Sequence, residues 1–157
     1  VDTGKIQKAL GEFRPADQRQ SVVNIGGITV LDDSYNANPL SMEMAFRSAK
    51  QIAGNHYFLV LGDMGELGRF EEKLHYETGV KAGKIGFDGL ITVGPLSRFL
   101  AKGAEEAGMK TVMTCDTCEE AAEKLMKMAA PGDVVLVKGS HYMHMERIPA
   151  VLRGEKA

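Results

Sequence analysis

From residue 28 onward, short apolar and β-branched runs alternate with longer stretches whose apolar positions recur every three or four residues. The runs ITVLD (28–32), YFLVLG (57–62), GLITVG (89–94), TVMTC (111–115) and DVVLVK (133–138) read as strands. Each precedes a stretch of helical period, predicting helices over 40–53, 69–83, 96–107, 117–129 and 144–152. Strand and helix alternating at this spacing argue for parallel strands joined by crossover helices. FLVL and VVLV are apolar at successive positions, which suits strands covered on both faces. Ahead of them, SVVNIGGITVL reads as two strands joined through Asn24-Ile25-Gly26-Gly27, adding an antiparallel neighbour at the edge. The expected fold class is therefore α/β: a Rossmann-like six-stranded, mostly parallel sheet with one antiparallel edge strand and helices on both faces.

Local chemistry supports the helices. Asp116 is placed to cap the fourth, with Glu119 three residues on, while Ala121, Leu125, Met128 and Ala129 form its inward stripe. The methionines, including Met42, Met44, Met126 and Met128, read as core packing. Residues 1–19 hold a short amphipathic segment (Ile6, Leu10, Phe13) and the link Pro15-Ala16-Asp17-Gln18-Arg19; they read as an arm or the tail of a preceding domain.

Composition narrows the class without choosing a function. A chain of 157 residues, 44% apolar, is long enough for one core. A net charge of -2 gives no electrostatic reason to expect nucleic acid or acidic lipid. No run approaches the ~18 apolar residues that a membrane span needs, and VDTGKIQKAL lacks the layout of a signal peptide. With only Cys115 and Cys118, no disulfide scaffold is available, and a cytoplasmic location is expected. The chain opens on Val1 rather than Met, as an excised piece of a longer protein would.

In an open parallel sheet, ligands gather at the carboxyl ends of the strands. Three loops fall there. Asp32-Asp33-Ser34-Tyr35-Asn36-Ala37-Asn38-Pro39 carries acceptors that suit ribose hydroxyls or a metal-bound water; its residues serve turn and cap geometry equally well. Gly62-Asp63-Met64-Gly65-Glu66-Leu67-Gly68 is no phosphate loop, because no Gly-Lys-Ser/Thr follows. It reads as a backbone approach to a ligand, or as a connector with Asp63 or Glu66 near the next helix start. Lys138-Gly139-Ser140-His141-Tyr142 places a cation, a hydroxyl and an imidazole at one strand end, where lysine can meet a carboxylate or phosphate, or solvent. Cys115-Asp116-Thr117-Cys118 lacks the second ligand pair of a zinc site, and His141 with His144 makes only two ligands on one helix face.

Taken together, VLDDSYNANPLSM (30–42), LGDMGELG (61–68) with His75 downstream, and KGSHYMHMERI (138–148) resemble the C-terminal domain of the Mur ligases, most closely the branch that adds D-alanyl-D-alanine. The resemblance covers about residues 15–152. It implies ATP and Mg2+ as cofactors, UDP-N-acetylmuramoyl-tripeptide and D-alanyl-D-alanine as substrates, and amide formation through an acyl phosphate. It further implies that residues 1–19 are the tail of a central domain and interdomain link, with 20–157 the C-terminal domain. The phosphate loop, Mg2+ ligands and modified lysine then belong to the central domain, and the UDP-sugar site to an N-terminal domain, so the fragment alone is expected to be inactive.

By resemblance, Arg19, Asp33, Tyr35 and Asn36 face the nucleotide, Asp33 at the ribose. Lys138, Ser140 and His141 face the incoming substrate, with His141 standing where the family pattern leads one to expect arginine. The competing readings are another Mur or folylpolyglutamate-type ligase and a non-catalytic nucleotide-binding module. Against the first stands Tyr35-Asn36-Ala37-Asn38, where those enzymes carry a histidine-containing loop; against the diaminopimelate adder stands the lack of Asp-Asn-Pro-Arg.

Overall fold

The structure, a computed structural model, describes residues 20–156. The expectations for segment 1–19, Arg19 included, lie outside the described residues. Six strands, β1 (Ser21–Ile25), β2 (Ile28–Asp33), β3 (Tyr57–Gly62), β4 (Gly89–Val93), β5 (Val112–Cys115) and β6 (Val134–Lys138), form one sheet in the order β1-β2-β6-β3-β4-β5. Only β1 and β2 pair antiparallel; every other pair is parallel. Gly26 and Gly27 make the hairpin turn with φ of 58° and 87°, the left-handed geometry that matches the twist of paired strands. The Asn24 side chain accepts the Gly27 N–H at 3.1 Å and closes it.

The period-2 alternation of the strands sorts the core by residue type. Leu31, Leu59, Leu61, Leu90 and Leu136 face helices α1 (Pro39–Gln51), α2 (Glu71–Ile85) and α3 (Ser97–Glu106), packing on Met42, Phe46, Ala82, Leu100 and Ala104. Val30, Val60, Ile91, Val93, Val135 and Val137 face α4 (Cys118–Met128) and α5 (Arg147–Leu152), packing on Ala121, Leu125 and Ile148. Both faces of the sheet are thus covered, which is why the central strands carry no polar alternation.

Several local expectations are corrected. The cap of α4 is Thr117, whose hydroxyl accepts the Glu120 N–H at 3.1 Å. Asp116 instead pairs with Arg98 at 2.8 Å. Met44 and Met126 are exposed, because each lies on the solvent side of its helix while Met42 and Leu125 take the inward positions. The expected helix over 144–152 begins only at Arg147: His141–Met143 form a 3-10 turn that ends at His144 with φ 51°. Glu66 lies shortly before the 3-10 turn over Gly68–Phe70 that leads into α2, while Asp63 turns to the next helix and accepts the N–H of Ser97 at the start of α3, at 2.7 Å.

Candidate functional site

The insertion of β6 between β2 and β3 decides the site. It brings the carboxyl ends of β2, β6 and β3 side by side, so the three polar loops leave the sheet at adjacent points. In the parallel register Asp33 lies opposite Lys138, and Lys138 opposite Leu61. Asp33 and Lys138 both fall on the leucine face, two residues beyond Leu31 and Leu136.

Their side chains meet there in a buried ion pair. Lys138 Nζ lies 2.8 Å from Asp33 Oδ2, with side-chain exposures of 2% and 7%. The ammonium also donates to the carbonyl of Asn36 at 2.7 Å, and Gln20 Nε2 donates to Asp33 Oδ2 at 3.2 Å. Among the described residues, Asp33 Oδ1 accepts no hydrogen bond. Buried charges persist when paired and hydrogen-bonded, and removing one partner of such a pair costs ~3–5 kcal/mol.

Ser140 joins all three loops. Its Oγ accepts the N–H of Gly65 at 2.7 Å and donates to the carbonyl of Ala37 at 3.5 Å; its own N–H donates to the carbonyl of Asp63 at 2.9 Å. The strand ends approach closely for this to happen. A Cβ on Gly139 would lie 2.7 Å from Met145 Cγ and 3.2 Å from Gly62 Cα, so only glycine fits.

The glycine-rich loop is committed internally. Met64 N–H donates to His75 and Gly65 N–H to Ser140, so neither amide is open to a phosphate. That agrees with the absence of lysine from the loop.

The first loop divides between the two roles its residue types allowed. Asp32 Oδ1 accepts the Ser34 N–H at 3.2 Å, and Asn36 Oδ1 the Ala37 N–H at 2.8 Å. Asn38 and Ser41 form a reciprocal capping box with Pro39 opening α1. Tyr35 is left exposed above this turn, its ring centroid 5.6 Å from that of His141, which is itself exposed. His144 extends the row, 6.0 Å from His141, and its Nδ1 lies 3.1 Å from Glu146. Thus Asp33, Tyr35, Asn36, Lys138, Ser140 and His141 are brought together, Tyr35 and His141 at the rim and Asp33, Lys138 and Ser140 beneath it.

One participant carries a sequence signal that was assigned elsewhere. Cys118, read as part of a C-x-x-C spacing, points its thiol at the carbonyls of Met143 and His144, 3.5 and 3.6 Å away, and so holds the loop after β6 from below. Among the described residues no group of three His, Cys, Asp or Glu side chains is arranged to hold a metal ion. None of their helices is long and apolar enough to cross a membrane.

Residues 18–141 match the model of the glutamate ligase domain of the Mur ligases. The chain belongs to the Mur ligase family. A curated relative from Bacillus subtilis, UDP-N-acetylmuramoyl-tripeptide--D-alanyl-D-alanine ligase, is 35% identical over 144 residues, which cover 90% of this chain and 32% of that protein. A crystal structure of MurF from Acinetobacter baumannii superposes with a TM-score of 0.78 at 29% identity, covering 99% of this chain and 34% of that one. The fold of a MurF ligase from Thermotoga maritima, solved in complex with ADP, agrees equally well, with a TM-score of 0.78 at 24% identity over 96% of this chain and 36% of that one. This Mur ligase domain therefore spans about a third of the length of the proteins it matches.

Proposed function

We propose that this domain is the nucleotide-closing, C-terminal part of an ATP-dependent ligase that joins D-alanyl-D-alanine to UDP-N-acetylmuramoyl-tripeptide, with residues 1–19 the tail of a central domain. The carrying observation is that a domain with the three-loop junction described above is 35% identical, over 90% of its length, to a relative bearing that name. In the reaction, the γ-phosphoryl group of ATP passes to the tripeptide carboxylate, releasing ADP. The amine of D-alanyl-D-alanine then attacks the acyl phosphate, and phosphate leaves as the amide forms. The use of ATP and a nucleotide-linked substrate supports a cytoplasmic location for this chemistry.

The residues described here fit the nucleoside end of ATP. Asp33 offers Oδ1 to a ribose hydroxyl, and the exposed Tyr35 ring offers a stacking face, with Asn36 fixing the turn beside it. The exposure of His141 beside Tyr35 is compatible with its facing the incoming dipeptide. The phosphates and Mg2+ do not fit these residues, since the Met64 and Gly65 amides are already engaged and no group of three His, Cys, Asp or Glu side chains among the described residues is arranged for a metal. Those tasks fall to the central domain, and the UDP-sugar to the N-terminal one, which makes both domains partners of this surface.

The test is phosphate release by the full-length parent. It should require ATP, UDP-tripeptide and D-alanyl-D-alanine together, and Asp33→Ala should raise the apparent KM for ATP. Release that is indifferent to D-alanyl-D-alanine would reject the assignment.

A further inference from the structure

By resemblance Lys138 was expected to face the incoming substrate, yet its side chain is 2% exposed and its ammonium pairs with Asp33 inside the chain. We propose that Lys138 is a positioning residue for the nucleotide-facing loop: it acts through Asp33 and the Asn36 carbonyl and makes no contact of its own with the dipeptide. The proposal rests on the ligase reading above.

Three observations converge on it. First, the pair is built into the sheet: Asp33 and Lys138 are register partners on adjacent parallel strands, so the strands themselves set the approach of the two side chains. Second, Lys138 and Gln20, at the entry to β1, both donate to Asp33 Oδ2, so among the described residues Oδ1 is left without a donor and is the oxygen a ribose hydroxyl would meet. Third, the same ammonium fixes the carbonyl of Asn36, the residue after Tyr35. One cation therefore sets both the ribose acceptor and the turn carrying the exposed ring. Lysine suits this task better than arginine: its compact ammonium directs donors tetrahedrally toward a carboxylate and a carbonyl lying in different directions, where a planar fork favours a single flat partner.

The dipeptide side of the site hangs on different contacts. His141 follows Ser140, which is tied to Gly65, Ala37 and Asp63, and the turn after it rests on Cys118. Loss of the Lys138 charge should therefore separate the two substrates in a kinetic measurement.

The experiment uses the full-length parent with Lys138→Met, which keeps length and apolar stem but removes the charge, and Lys138→Arg, which keeps the charge. Assayed well below their unfolding temperatures, Lys138→Met should raise the KM for ATP on the order of tenfold with the KM for D-alanyl-D-alanine unchanged, and Lys138→Arg should fall between it and wild type. Equilibrium binding of a fluorescent ADP analogue should weaken in parallel. In an Asp33→Asn background the same lysine substitution should add less than about threefold, because the route through Asp33 is already weakened and only the contact to the Asn36 carbonyl is left to lose.

A raised dipeptide KM at constant ATP KM would overturn the proposal in favour of direct contact. A lowered Tm with both KM values and analogue binding unchanged would reduce Lys138 to a structural role and overturn it equally. The ligase reading fails separately: a parent that binds the analogue but does not couple ATP to D-alanyl-D-alanine loses that reading, while analogue binding by Lys138→Met still decides whether Lys138 positions the loop.

Discussion

The backbone N–H of Met64 donates to Nε2 of His75 across 2.8 Å. Because Nε2 accepts, the ring proton sits on Nδ1, which donates to the carbonyl of Glu71 at 2.6 Å. A fully buried neutral imidazole thus joins the glycine-rich loop after β3 to the first turn of α2. This bond and the Ser140 contact to Gly65 are what make GDMGELG a fixed loop and not a loose connector.

Replacing His75 tests that account. His75→Ala should destabilise the domain by about 1–3 kcal/mol for the stranded Met64 amide, in addition to the cavity it opens. His75→Phe refills the space without restoring an acceptor, so it should remain clearly destabilised in urea unfolding. Recovery of wild-type stability by Phe would show that packing, and not the hydrogen bond, is what His75 supplies.

Helices α2 and α3 approach through glycines. A Cβ on Gly79 would collide with the carbonyl of Leu100, and one on Gly103 with the carbonyl of Tyr76, in both cases backbone that cannot rotate away. Gly103→Ala should cost ~3 kcal/mol or more, above the usual range for overpacking, since a whole helix must shift. The urea midpoint measures it. Gly79→Ala combined with Gly103→Ala should cost less than the sum, because one separation of the helices relieves both clashes.

The thiols set an alkaline limit. Burial pushes Cys118 up to about 11, assisted by nearby Glu119, and burial raises Cys115 as well. Since the thiolate is the reactive form, native Cys118 should react with iodoacetamide at pH 8 roughly a hundredfold more slowly than in the unfolded chain. Rapid native labelling would contradict the buried donor geometry. For stability, the folded state holds the Cys118 proton more tightly than the unfolded state does. The contribution is therefore complete below pH 9.0 and is lost as pH rises from there through about 11. Cys118→Ser should flatten that limb in urea midpoints measured across the same window.

What the sequence by itself determined were features written within a few neighbouring residues. Strand runs such as FLVL and VVLV and the hairpin through Gly26 and Gly27 depend on local propensity and period, and the structure has them where they were expected; the helix expected from residue 40 begins one residue earlier, at Pro39. The three loop motifs were likewise legible, because a family pattern is a string. Features that depend on competition between neighbours were less so: Thr117 and Asp116 are both cap-forming residue types, and in the structure Thr117 caps α4 while Asp116 pairs with Arg98 at 2.8 Å. Only the tertiary structure decided that β6 inserts between β2 and β3. That single choice of strand order places Lys138 against Asp33, 105 residues away, and makes the lysine an internal partner where residue type alone suggested an outward contact. The physical reason is that burial and pairing are properties of what surrounds a side chain, and at a sheet edge those surroundings are assembled from strands far apart in the chain.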